Sequence, residues 1–234
     1  MTLLFILSFL LGASLASFAG CYAWRFANNI PRTIPRSFCE SCGHTLSFWQ
    51  LIPIAGFVLQ RGRCAFCRHS IPVHETAIEL LFGTFCARIL LTQPAPLDFP
   101  VILLSTWLLF LAWCDALKFC VPAVPLYSGS IMLLLNCTTI LRERSLSEWL
   151  LTALFFLLMK LLEKRQMFGA ADTFVCVLLA AMLGIHSFCL LLFLSCTFIL
   201  CYFIVCRKRI IPFIPFLFCA YMLLGYFAPE MIHV

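Results

Sequence analysis

Four cysteines stand in two Cys-x-x-Cys pairs within the one long polar stretch of this 234-residue chain: Cys39 with Cys42, and Cys64 with Cys67. A Cys-x-x-Cys turn directs two sulfurs at one ion, and two such turns complete the tetrahedral shell of structural Zn²⁺. The 21 residues between the pairs slightly exceed the usual zinc-ribbon spacing. The pattern predicts a structural zinc site, with a redox disulfide or unligated thiols as the alternatives.

Two aspartates are the other residues whose placement indicates chemistry. Asp115 ends one apolar run and Asp172 precedes another, whereas Asp98 lies in a proline-flanked loop, where a solvated turn explains it. Ionisable groups at the edge of a membrane span are costly and mark functional sites. Two facing carboxylates that share a proton perform aspartic protease chemistry, because one activates water while the other polarises the scissile carbonyl. The alternative is that each aspartate caps a helix or pairs with a lysine such as Lys118.

The composition shows where these residues must act. The chain is 63% hydrophobic and 11% charged, with a mean hydropathy of +1.04. These values exclude a soluble globular protein and predict an all-α polytopic membrane protein. The remaining cysteines are scattered through apolar runs, where cysteine acts as a small hydrophobic residue.

The apolar runs predict about eight transmembrane helices. The first lies in residues 1–24, a cytoplasmic tetracysteine loop follows in 25–75, and 76–234 form the transmembrane core. The expected spans are 2–24, 76–93, 99–114, 122–141, 148–162, 173–187, 188–206 and 212–229.

The basic residues predict the orientation. The first loop carries many arginines against the single acid Glu40 before His74, and parity places most other basic residues on the same side. Those others are Lys118, Lys160, Lys164, Arg165, Arg207, Lys208 and Arg209. On the opposite side fall Arg88, Arg142 and Arg144. This bias places the loop and both aspartates at the cytoplasmic face, and it explains the net charge of +6 without nucleic acid.

Several short motifs occur in an order that resembles the bacterial type IV prepilin peptidases. They are Ala16-Ser-Phe, Arg36-Ser-Phe-Cys-Glu-Ser-Cys-Gly43, Leu51-Ile-Pro-Ile54, Arg61-Gly-Arg-Cys-Ala-Phe-Cys67, Ile78-Glu-Leu-Leu-Phe-Gly83, Asp115 with Val121-Pro122, Gly169-Ala-Ala-Asp172, and Ile211-Pro-Phe-Ile-Pro-Phe216. The resemblance covers nearly the whole chain.

The resemblance implies a membrane-embedded aspartic endopeptidase of the bacterial inner membrane, which removes the basic leader of prepilins or pseudopilins of pilus or secretion systems. Asp115 and Asp172 would be the catalytic pair, and the four cysteines would bind zinc. Some members of the family also N-methylate the new N-terminus with S-adenosylmethionine. Glu79 falls at an acidic position of the family, where a substrate-leader contact and a helix-start acid are both open.

The sequence also departs from the family pattern. Ala171 replaces the second glycine of Gly-x-Gly-Asp, Phe174 replaces a lysine, and Gly20 stands where the family has asparagine. These departures keep a second hypothesis open, namely a non-catalytic relative that binds or scaffolds pilus or secretion components.

Overall fold

The computed structural model describes residues 2–31, 36–92, 99–136, 140–141, 144–208 and 210–232. Asp98, Arg142 and Arg209, which the predictions above name, lie outside these ranges. The described residues form helices and turns, and the β-type contacts among them are the isolated bridges Phe38 with Thr45 and Arg63 with Ser70. The helices are α1 (Thr2–Ala27), α2 (Ala55–Leu59), α3 (Val73–Thr92), α4 (Phe99–Lys118), α5 (Ala123–Leu135), α6 (Leu146–Lys164), α7 (Ala170–Leu183), α8 (Ile185–Cys206) and α9 (Ile214–Phe227).

The helices confirm an all-α membrane protein. Among the described residues, α1, α4 and α8 are long and apolar enough to cross a bilayer, and α5, α7 and α9 are shorter apolar helices. Together with α3 and α6, they account for each of the eight predicted spans. The break between the sixth and seventh spans comes earlier than predicted, at Gly184 rather than after position 187.

The chain divides into two compact units, Met1–Leu97 and Asp98–Val234. The predicted division at 24 and 75 follows membrane topology instead, and it stays a prediction. In the first unit α1 packs along α3, and the buried positions of α1 carry only small side chains: Ser8, Gly12, Ala13, Ala16, Ala19 and Ala23. A Cβ on Gly12 would lie 2.7 Å from the Cβ of Cys86. Small residues bring the two backbones together, as in other membrane helix pairs.

In the second unit α4 contacts α5 and α9, and α7 contacts α5, α6 and α8. The Trp107 indole N–H on α4 donates to the Pro125 carbonyl on α5 at 2.7 Å. Gly129 gives this ring its space, because a Cβ there would lie 2.6 Å from the indole. These contacts fix α4, the helix that carries Asp115, against its neighbours.

Arg144 bonds to the backbone at the junction between α7 and α8. Gly184 has a φ of 86°, a left-handed backbone that favours glycine. An Arg144 Nη2–H donates to the Met182 carbonyl at 3.2 Å, and Nη1 lies 3.7 Å from the Glu148 carboxylate. The guanidinium occupies the place where a Cβ of residue 184 would stand. A cation thereby satisfies the carboxyl end of α7.

Gly184→Ala is therefore expected to lower the free energy of unfolding by about 1–3 kcal/mol, the cost of a residue held in an unfavourable backbone region. The measurement is the thermal unfolding of the purified protein in one detergent. Arg144→Ala also destabilises, but the two changes combined should cost less than their sum, because the double variant lacks the clash. A Gly184→Ala protein as stable as the wild type would contradict this account of the junction.

Candidate active site and metal centre

The four cysteines form one cluster, as the sequence predicts. Their Sγ atoms all lie within 4.8 Å of one another, and those of Cys39 and Cys67 are 3.8 Å apart. A tetrahedral ion with metal–sulfur bonds of about 2.3 Å requires sulfurs about 3.8 Å apart. The donor set and its spacing fit a tetrathiolate metal site.

Each half of the cluster is built in the same way. The N–H of Cys39 donates to the His44 carbonyl, and the N–H of Cys64 donates to the His69 carbonyl, both at 2.9 Å. The sequences Cys39-Glu-Ser-Cys-Gly-His-Thr45 and Cys64-Ala-Phe-Cys-Arg-His-Ser70 are repeats of one turn. The fifth position has a positive φ in both, 71° at Gly43 and 57° at Arg68.

These turns direct backbone N–H groups at the sulfurs. The N–H groups of Cys67 and Phe66 lower the pKa of the Cys64 thiol to about 7. Hydrogen bonds to sulfur favour the thiolate, which is the form that binds metal. At the fifth position of the two repeats, the glycine of the first adopts the positive φ without cost and the arginine of the second does not.

Asp115 is buried in the last turns of α4. Its Oδ2 accepts a hydrogen bond from the Ile214 N–H at 3.1 Å, at the first turn of α9. The carboxylate therefore caps a helix, which is one of the two roles that the sequence left open. The cap also fixes the direction of the carboxylate, because Oδ2 is held by a backbone donor.

Asp172 lies half-buried in the first turn of α7. Asp115 interacts with it electrostatically, so the fold brings the two carboxylates near each other within the second unit. The loops beside them also touch, since the rings of Phe168 and Phe213 meet edge to face with centroids 5.3 Å apart. A Cβ on Gly169 would lie 3.0 Å from Asp172 Oδ2, so glycine leaves room beside this carboxylate.

The chain is similar to known proteins over part of its length. Residues 10–93 match the model of the bacterial Peptidase A24 N-terminal domain. The resemblance to prepilin peptidases is confirmed. Proteins named prepilin leader peptidase/N-methyltransferase are 41% identical over 54 residues in Burkholderia pseudomallei, 32% over 116 in Bacillus subtilis and 30% over 173 in Neisseria gonorrhoeae.

These matches cover 23%, 49% and 69% of this chain. The chain in turn covers 18%, 45% and 59% of those relatives, less than two thirds of their length. No solved structure matches the chain. The domain match, residues 10–93, falls within the first compact unit, which holds α1, the tetracysteine loop and α3.

Two departures from the prepilin peptidase pattern have a structural explanation. Ala171 lies in the first turn of α7 and does not have a positive φ, so the extra methyl imposes no backbone strain. Phe174 packs edge to face on Tyr127 of α5, with ring centroids 5.2 Å apart. An aromatic contact thus takes the place of the lysine.

The sequence did not reveal the role of Glu79. Its Oε2 accepts the Ile54 N–H at 2.8 Å, which ties the tetracysteine loop to α3. Ile54 has a φ of 62°, an unfavourable conformation for a β-branched residue. The sequence feature that could have indicated the turn at Ile54 is Pro53, which precedes it in the motif Leu51-Ile-Pro-Ile54 that resembles the prepilin peptidases.

Both repeated turns are expected to favour glycine over alanine at their fifth position, Gly43 and Arg68. Arg68→Gly is expected to be more stable than Arg68→Ala by about 1 kcal/mol, because only glycine adopts positive φ freely. Gly43→Ala should lose a similar amount relative to wild type. The measurement is the protease resistance of the loop in the purified protein. Equal stability of the glycine and alanine variants at position 68 would contradict the described turn.

Proposed function

We propose that this protein is a membrane-embedded aspartic endopeptidase that cleaves the basic leader of prepilins or pseudopilins. The interaction between Asp115 and Asp172 carries the proposal. The matching Peptidase A24 N-terminal domain and the printed names of the relatives support it. The substrate class comes from those names.

The two carboxylates would divide the work of hydrolysis. The ionised one accepts a proton from water, which attacks the scissile carbonyl. The protonated one donates a hydrogen bond to the carbonyl oxygen, and a proton then goes to the leaving amide nitrogen. The Ile214 N–H stabilises negative charge on Asp115, so we assign the general base to Asp115 and the proton donor to Asp172.

We further propose that the reaction takes place at the cytoplasmic face of the inner membrane. The basic residues of the loop and of the turn after α8 favour that side. The leader of the substrate is basic and would lie at the anionic membrane surface, while its apolar stem would lie along the helices. The name of the relatives also includes N-methyltransferase, and we extend that activity, with S-adenosylmethionine as donor, to the new N-terminus.

Zinc is the metal that we propose for the tetracysteine cluster. Four thiolates suit a structural Zn²⁺, which leaves no open position for catalysis. Cys39, Cys42, Cys64 and Cys67 would hold the ion, and its contribution would be to tie the two repeated turns together. The peptidase chemistry would rest on the aspartates alone.

Asp115→Asn and Asp172→Asn are each expected to lower prepilin cleavage by at least about 10²-fold, because each removes one partner in proton transfer. Cleavage is measured in proteoliposomes as the mobility shift on loss of the leader. Asp98→Asn, at the third aspartate, is the matched control and should cleave as the wild type does. Cleavage that survives either substitution would contradict the two-aspartate mechanism. A folded wild type inactive on several prepilins would favour the scaffolding hypothesis.

Freshly purified protein is expected to contain about one zinc ion per chain, since four thiolates form one closed shell. Cys39→Ser should lose most of that zinc in the presence of a chelator. Cys201→Ser, at an exposed cysteine of α8, is the control and should keep it. Elemental analysis of both variants and the wild type measures the metal. A wild type with well under half an equivalent would count against the zinc site.

A further inference from the structure

The segment that precedes the second cysteine pair is folded with its polar side chains inward. Gln50 is 8% exposed. Its Nε2 donates to Gln60 Oε1 at 3.0 Å, and its Oε1 accepts the Ser47 N–H at 2.8 Å. Gln60 Nε2 donates to the Gly56 carbonyl at 3.0 Å. The amides of this segment therefore satisfy one another and the backbone.

The apolar side chains of the same segment point outward. Phe48 is 84% exposed, Val58 63% and Leu59 64%. The other exposed apolar residues of the segment are Trp49, Leu51 and Ile52. This arrangement is the reverse of a water-soluble loop, which buries such side chains and solvates its amides. It is the arrangement that a lipid environment demands, because polar groups there must bond within the protein.

The Glu79 contact places this segment beside the first turns of α3. α3 has 20 residues, which is about 30 Å, the thickness of a hydrocarbon core. Glu79 lies six residues after Val73, so it is about 9 Å along the helix from its start. Because the Ile54 N–H is bonded to Glu79, the turn at Ile54 lies at that level beside α3. With the membrane surface at Val73, where α3 begins, this level equals the depth of about 5–10 Å to which interfacial helices insert.

The charges that follow the segment suit the same surface. Arg61 and Arg63 come directly after it, Arg68 follows in the second cysteine turn, and all three are exposed. Arginine beside an apolar patch is typical of segments that insert among anionic headgroups. Trp49 is an aromatic residue of the kind that collects at membrane interfaces, and phenylalanines such as Phe48 are typical of the apolar face of interfacial helices. In the chain the segment lies between α1 and α3.

We propose that residues 47–60 form a lipid-inserted hairpin, seated in the leaflet where α1 ends and α3 begins, with the arginines on anionic headgroups. The hairpin anchors the tetracysteine cluster beside the membrane, on the aqueous side of the headgroups. This assignment does not depend on the proposed peptidase activity. The partner of the exposed apolar side chains of this hairpin is the bilayer itself, rather than a second copy of the chain or a peptide.

The test places a photoreactive benzoylphenylalanine at Phe48 or at Val58, one at a time, in an otherwise unchanged chain. Each variant is reconstituted in vesicles of phosphatidylethanolamine and phosphatidylglycerol, illuminated and analysed by mass spectrometry. The control is the same substitution at Phe66, which is 60% exposed but belongs to the tetracysteine turn beside His44. Retained protease resistance of the loop shows that a variant is folded, and either test position alone is sufficient.

Lipid adducts at position 48 or 58 should exceed those at position 66 several-fold. Equal adduct formation at all three positions would overturn the proposal. Adducts to a second copy of the chain, in place of lipid, would assign the surface to an interface between copies. Adducts to an added prepilin, in place of lipid, would assign it to substrate docking. Either result would also overturn lipid insertion, whereas a failure to cleave prepilins would leave it untouched.

Discussion

Backbone groups at helix ends lack partners within their own helix, and at the breaks between the helices of this protein single side chains bond to them. Asp115 accepts the N–H at the start of α9, Arg144 donates to a carbonyl at the end of α7, and Glu79 accepts the N–H of Ile54. Each of these charged side chains therefore uses one of its hydrogen-bonding atoms to stabilise the fold. In Asp115 the same bond that caps a helix also directs the carboxylate.

The hydrogen bond from Ile214 gives Asp115 an environment different from that of Asp172. Asp115 is held by a backbone donor from α9, whereas Asp172 begins its own helix beside a glycine that leaves room for a second group. The asymmetry comes from backbone position, since α4 and α7 present opposite ends to the pair: Asp115 lies near the end of α4 and Asp172 near the start of α7. A pair of chemically identical residues thereby gains distinct environments, which is the condition for distinct roles in acid–base chemistry.

Hydrophobic runs and cysteine spacing were sufficient to predict the helices and the sulfur cluster, because both are local patterns. The break at Gly184 was placed too late, since the chain is apolar on both sides and periodicity gives no boundary there. The partners of Asp115 and Glu79 lie 99 and 25 residues away and are backbone groups, so no residue type marked them. The hydrogen bond between Gln50 and Gln60 could not be predicted for a similar reason, because it depends on how the loop folds.

The two sulfur turns have a further consequence for how the first unit forms. Residues 28–72 join α1 to α3, and an ion shared by Cys39 and Cys67 would bypass residues 40–66, more than half of that connection. The entropic free-energy cost of closing a loop falls by about 0.6 kcal/mol for each halving of the loop's length. Metal uptake would therefore lower the cost of pairing the two helices in the unfolded chain, and so promote a contact far from any sulfur.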